Sequence, residues 1–354
     1  MVQPRRGEKD GATRYGMGNW QSPGSDPMRK ALIIGLDHYR HRRPLSGCVR
    51  DALALQKTLA QHGDGRSNFA CQMLLATDEG SAVDRASLRR SVEALFSGND
   101  GLTEAALLYF AGHGSISSSG GCLLSSEASD AGDGLPLRDL MDWANQSKAR
   151  HRLIFLDCCH GGAAAEEVGQ PAMSRLADGV TVLTAATAKQ VAMEADGGGL
   201  FTTLMVEALK GGAANLAGDV TPGGVYAFID QSLGAWQQRP VFKTSVQQFI
   251  SLRSNPPPID LNDLREITAL FTSRDDLHSL DPSYEPLAAG RQEGDPPADP
   301  DHVRQFDILK AYNRLQLLIP VDAPDMWTAA MRSKACRLTP LGQHYWRLVQ
   351  QGLL

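Results

Sequence analysis

From Lys30 onward, short apolar runs alternate with amphipathic stretches. KALIIGL, CQMLLAT, EAALLYF, HRLIFLD and GVTVLTA are continuous apolar segments and predict strands covered on both faces. Between them, VRDALALQKTLAQHG and DRASLRRSVEALFSG repeat apolar residues at helical spacing and run to Gly63 and Gly98. The order β-α-β-α-β-α-β predicts an α/β fold with a mostly parallel sheet flanked by helices on both faces. Ligands of such sheets bind beyond the carboxyl ends of the strands, so the residues that follow each strand carry the functional reading.

The pattern also divides the chain. Residues 1–28 are basic and Gly-rich and are expected to be disordered. The α/β domain is expected over 29–254, with a boundary near Asn255. The polar, Pro-rich stretch 255–300 is expected to be linker and helix. From Asp301 a helical pattern, the run LIPV, a second strand across WTAAMRSKACRLT and the closing helix LGQHYWRLVQQ resemble a small α+β winged-helix-like module over 301–354.

Composition narrows the functional classes. A net charge of -5 over 354 residues gives no drive toward nucleic acid, which is not an expected partner. No apolar run is long enough to span a membrane, and the first residues lack the apolar centre of a secretory signal. Six scattered cysteines are too few for a disulfide scaffold and fit a cytoplasmic protein. They lack paired C-x-x-C spacing, so no metal is expected, and neither G-x-x-x-x-G-K nor G-x-G-x-x-G follows the first strand, so no cofactor is expected.

Two strand ends carry reactive groups. EAALLYFAGHG places His113 after one apolar run and HRLIFLDCCHGG places Cys159 after the next. Consecutive strands of an α/β unit are often neighbours, so imidazole and thiol can share one cleft, where the base generates the thiolate that attacks. Glycines at 112, 114, 161 and 162 permit close approach of a substrate backbone, and the amides of Gly114 and Cys159 are candidates for an oxyanion hole. Asp157 lies two residues before Cys159, on the same face of an extended strand, whereas Cys158 faces the sheet interior as a small apolar filler.

YFAGHG is similar to the histidine motif of the caspase-like cysteine peptidases, closest to their prokaryotic and metacaspase branch. DCCHGG resembles the nucleophile motif of that family, with Gly161 where serine is usual. The interval from 113 to 159 is 46 residues, near the roughly 50 typical of caspases. A third stretch, LSGCVRDA, resembles the metacaspase segment that forms part of the primary specificity pocket and contributes Cys48 and Asp51. The resemblance implies a His113/Cys159 endopeptidase that cuts protein substrates after a basic residue selected by Asp51 and Asp157. Arginine is expected over lysine, because a guanidinium engages two carboxylates bidentately. Ala111 stands where metacaspases usually carry a pocket-wall serine. The segment SISSSGGCLLSSEASD lacks the acidic run of calcium-dependent members, so no calcium requirement is expected.

The same likeness divides the domain into a large-subunit-like part (29–165), a processing-type loop (162–178) and a small-subunit-like part (179–254). Arg175 in the loop is a candidate self-cleavage site, and Lys189 a second choice. Caspase-like domains joined to small modules suggest a prokaryotic defence or cell-death effector, released by an activating protein or protease. Two other readings stay open: a catalytically silent homologue acting as an adaptor, and a DNA-binding regulator using the C-terminal module. Retention of both His113 and Cys159 speaks against the first, and the acidic balance against the second.

Overall fold

The computed structural model describes residues 28–97, 102–117, 120–158, 176–185, 194–195, 198–233, 239–287 and 289–354. Chain contacts divide it into two units, Met1–Pro256 and Pro257–Leu354.

In the first unit six strands form one sheet: β1 (Met28–Leu36), β2 (Ala70–Ala76), β3 (Thr103–Gly112), β4 (His151–Cys158), β5 (Val180–Thr184) and β6 (Val241–Ser245). Their order is β6-β5-β4-β3-β1-β2. All neighbours are parallel except β6, which runs antiparallel to β5. The chain leaves β1 for the edge at β2 and returns to the other side of β1 at β3, so the topological switch lies between β1 and β3. His113 follows the switch strand β3 directly.

Each face of the sheet has its own core. Leu32, Ile34, Leu108, Phe110, Ile154, Leu156 and Cys158 pack against helices α2 (Arg85–Ser97) and α3 (Leu137–Gln146). The alternate positions Ala31, Ile33, Leu107, Tyr109, Ala111, Leu153 and Phe155 face α1 (Cys48–Leu59), α4 (Leu200–Glu207) and α5 (Pro222–Ser232). Period-two alternation therefore assigns neighbouring residues of one strand to opposite cores. Two details differ from the sequence reading. Helix α1 ends at Leu59, before Gly63, whose amide bonds to Ser254. Strand β2 is half-buried because it is an edge strand.

The second unit contains α6 (Leu261–Arg265), α7 (Ile267–Leu270), β7 (Leu277–Ser279), α8 (Pro300–Arg314), β8 (Leu318–Val321), α9 (Met326–Met331), β9 (Ala335–Leu338) and α10 (Pro340–Gln350). Of residues 255–300, expected as linker and helix, all from Pro257 onward belong to this packed unit. Strand β7 pairs antiparallel with β9, and Leu264, Ile267, Phe271 and Tyr284 are buried. The three-residue strand and scattered apolar anchors left no periodic signal in so polar a stretch. The strand expected across WTAAMRSKACRLT is a helix over its first half, because Asp325 caps it by accepting the Thr328 amide at 2.6 Å. The connection from β8 to β9 is thus helical where a winged-helix module carries a hairpin, so that expectation is not met.

Candidate active site

The carboxyl ends of β1 and β3 are tied together by residues just beyond them. Asp37 follows β1, and its Oδ1 accepts the amides of Gly47, Cys48 and Val49 at 3.2, 2.8 and 3.4 Å. The first amides of a helix have no acceptor within it, and the carboxylate also complements the helix dipole. The bonds hold the first turn of α1, with Cys48 and Asp51, at the strand ends.

Tyr39 accepts the backbone N–H of His113 at 2.7 Å through its hydroxyl, and the two rings lie 4.5 Å apart at 57°. Burial raises the Tyr39 phenol well above its usual pKa, so it stays protonated. This approach requires Gly112, since a Cβ there would sit 2.5 Å from the Tyr39 oxygen. On the imidazole, Nε2 lies 2.8 Å from the carbonyl oxygen of Arg43. A carbonyl only accepts, so Nε2 is the protonated nitrogen, and a neutral ring keeps Nδ1 as its acceptor.

Beyond β3, Gly114–Ser117 pairs antiparallel with Gly120–Leu124; His113 O accepts the Leu124 amide, and Gly114 stands opposite Leu123 in the next pair. Alternation makes Gly114 a non-hydrogen-bonded position, with its N–H directed away from the partner strand.

The β3–β4 register ends with Ala111 opposite Asp157 and Gly112 opposite Cys158. His113 and Cys159 are the residues that follow in the sequence. Cys159 lies outside the described residues, as do Arg175 and Lys189. Cys158 is 2% exposed within the α2/α3 core, the interior place that alternation gives it.

Asp51 and Asp157 converge. Both are buried, at 6% and 9% exposure, and both reach the beginning of α4. Asp51 Oδ2 accepts the Gly199 amide at 2.7 Å, while Asp157 Oδ2 accepts the Thr202 hydroxyl at 2.6 Å. A Cβ on Gly199 would collide with Asp157 Oδ2 and lie 3.2 Å from Asp51 Oδ2, so this glycine is wedged beside both carboxylates. Thr202 Oγ1 is 2.7 Å from the hydroxyl of Tyr109. Burial, and next the Asp157 charge, push the Tyr109 phenol well above its usual pKa. Ala111 is buried on the same face, opposite Asp157, and Cys48 is half-buried in the first turn of α1. The structure thus brings together Asp51, Asp157 and Ala111, with His113 two residues beyond Ala111.

Sequence reasoning missed Asp37, Tyr39, Tyr109, Gly199 and Thr202. Asp37 and Tyr39 are legible as polar residues directly after the apolar run ALIIGL; Thr202 sits in an apolar helix and gives no such signal. Among the described residues no cluster of three or more His, Cys, Asp or Glu side chains is placed to hold a metal, and no helix is long and apolar enough to cross a membrane. A cleft of about 470 Å³ lies at the opposite, amino-terminal ends of the strands, between Arg29, Glu104, His151 and Asp178. It holds none of the expected site residues.

The model of the caspase domain, peptidase family C14, matches residues 28–243. Among solved structures, caspase-1 from Spodoptera frugiperda is 13% identical with a TM-score of 0.48, covering 71% of this chain and 98% of its own. A structural-genomics protein from Geobacter sulfurreducens is 18% identical with a TM-score of 0.48, covering 65% and 98%. No curated protein matches the chain in sequence.

Proposed function

The chain belongs to the caspase family of cysteine endopeptidases, and from that premise we propose that it cuts proteins after a basic residue, Arg before Lys, through His113 and Cys159. The observation that carries the specificity is the convergence of Asp51 and Asp157 beside Gly199, with Asp157 two residues before the nucleophile. Two carboxylates brought to one place attract a cation, and a guanidinium can bridge both.

The residues divide the chemistry as follows. Arg43 holds Nε2–H, so Nδ1 of His113 takes the Cys159 thiol proton. The thiolate attacks the scissile carbonyl carbon, and the amides of Gly114 and Cys159 stabilise the resulting oxyanion. The His113 imidazolium then protonates the leaving amine as the C–N bond breaks. Water, deprotonated by His113, hydrolyses the thioester and restores the thiol. Arg175 is the proposed self-cleavage site. We place the activity in a prokaryotic defence or cell-death pathway, with the C-terminal unit receiving the activating signal.

A peptide library tests the reading. Cleavage after Arg and Lys, abolished by Cys159→Ala and retained by Cys158→Ala, is expected. Cleavage after Asp would overturn the pocket, and full activity of Cys159→Ala would overturn the dyad.

A further inference from the structure

We propose that Thr202 is a specificity-positioning residue, whose hydroxyl, itself held by Tyr109, keeps the Asp157 carboxylate aimed at the basic side chain of the substrate. This rests on the reading of Asp157 as a specificity carboxylate.

The direction of the hydrogen bonds follows from their chemistry. An ionised carboxylate accepts only, so Thr202 donates to Asp157 Oδ2 at 2.6 Å. The Thr202 oxygen is then free to accept, and the Tyr109 hydroxyl donates to it at 2.7 Å. All three residues are buried, with Tyr109 at 0% and Thr202 at 1% exposure, so water does not substitute for either donor. Tyr109 comes from β3, Asp157 from β4 and Thr202 from α4. The last lies on the far side of the processing-type loop, so the second half of the domain orients a carboxylate carried by the first.

A bond that favours the charged carboxylate lowers its pKa, and removing the bond raises it. The Tyr109 phenol that holds Thr202 senses the Asp157 charge first, then Asp51 and Cys48 from α1, and Cys159 follows Asp157 by two residues in the sequence. Asp51 and Asp157 are like charges held beside the same glycine, and the Thr202 hydroxyl donates to the second of them.

Wild type, Thr202→Val, Thr202→Ser and Tyr109→Phe are compared on matched peptides ending in Arg or its neutral isostere citrulline before the scissile bond. Thr202→Val keeps the branched shape and is expected to lower kcat/KM for the Arg peptide about tenfold to a hundredfold, mostly through KM. The citrulline peptide changes little, and the acidic limb of the Arg profile moves to higher pH. Thr202→Ser restores both properties, Tyr109→Phe shifts them less than Thr202→Val, and iodoacetamide labels the catalytic thiol at the wild-type rate in every variant. Undiminished Arg-over-citrulline discrimination in Thr202→Val, or no rescue by serine, overturns the role of Thr202 while the pocket reading stands. A wild-type enzyme that does not prefer Arg to citrulline overturns the pocket reading itself.

Discussion

Tyr39 and His113 meet twice, once through the Tyr39 hydroxyl on the His113 amide and once ring against ring. The first contact fixes the backbone at the end of β3, and the second limits rotation of the imidazole, whose Nε2 is spent on Arg43. Tyr39→Phe keeps the ring and leaves a part-buried amide without its acceptor, at about 1–3 kcal/mol. The expected outcome is a lower melting temperature and a kcat reduced about tenfold at unchanged KM, measured by steady-state kinetics on an Arg peptide. An unchanged kcat would show that the hydroxyl serves stability alone.

Asp37 acts on the other wall of the cleft. It caps α1 through three amides, so Asp37→Ala removes their shared acceptor and loosens the turn that carries Asp51. A loss of about 1–2 kcal/mol in denaturant unfolding is expected, with KM for Arg peptides raised and kcat less affected. Asp37→Asn keeps an acceptor oxygen and is expected to recover most of both.

The strands were legible because a parallel sheet buries both faces and writes itself as continuous apolar runs. The end of β3 pointed to His113 for the same reason. Residues that act through their partners left no such trace. Thr202 lies among apolar helix residues, Gly199 acts through its backbone amide and the side chain it lacks, and the Arg43 carbonyl is a backbone atom. Strand β7 escaped notice because three residues are too few to display a period.

Gly199 permits a steric test of the pocket. Gly199→Ala adds one methyl group that collides with Asp157 Oδ2 and crowds Asp51. The carboxylates must move apart or α4 must shift. Cleavage of Arg peptides is expected to fall about tenfold or more, near 1.4 kcal/mol, while thiol alkylation continues. Equal cleavage of Arg peptides by wild type and variant would remove Gly199 from the specificity site.

His62 supplies a pH dependence remote from the site. Its Nδ1 accepts the Ser254 amide at 3.0 Å, and burial, then Arg29 and Arg66, lower its pKa below the usual histidine value. The unfolded chain therefore binds this proton more readily than the folded one. The stabilisation is present above the unfolded pKa of about 6.5 and is lost as pH falls through the lowered folded value. Thermal melts should drop over that interval, and His62→Gln should flatten the drop. An equal slope in both proteins would exclude His62 as its source.

The chain that follows the processing-type loop is fastened to the first half of the domain. Arg152 is buried at 6% exposure and donates to the carbonyls of Ala144, Ala149 and Asp178 at 3.1, 2.7 and 2.8 Å. Asn145 Oδ1 accepts the Ala177 amide at 2.9 Å. These bonds grip the chain two and three residues after Arg175, and β5 then pairs with β4. A cut after Arg175 therefore leaves the second half clamped to the first. Incubated wild-type protein should separate into two fragments under denaturing conditions, with the new end at Leu176 by mass spectrometry, yet elute as one species under native conditions. Arg152→Met removes the clamp, buries no charge in exchange, and is expected to let the cleaved halves come apart at lower denaturant. If the wild-type chain stays intact at full activity, Arg175 is not a processing site; if the fragments separate without denaturant, the clamp does not hold them.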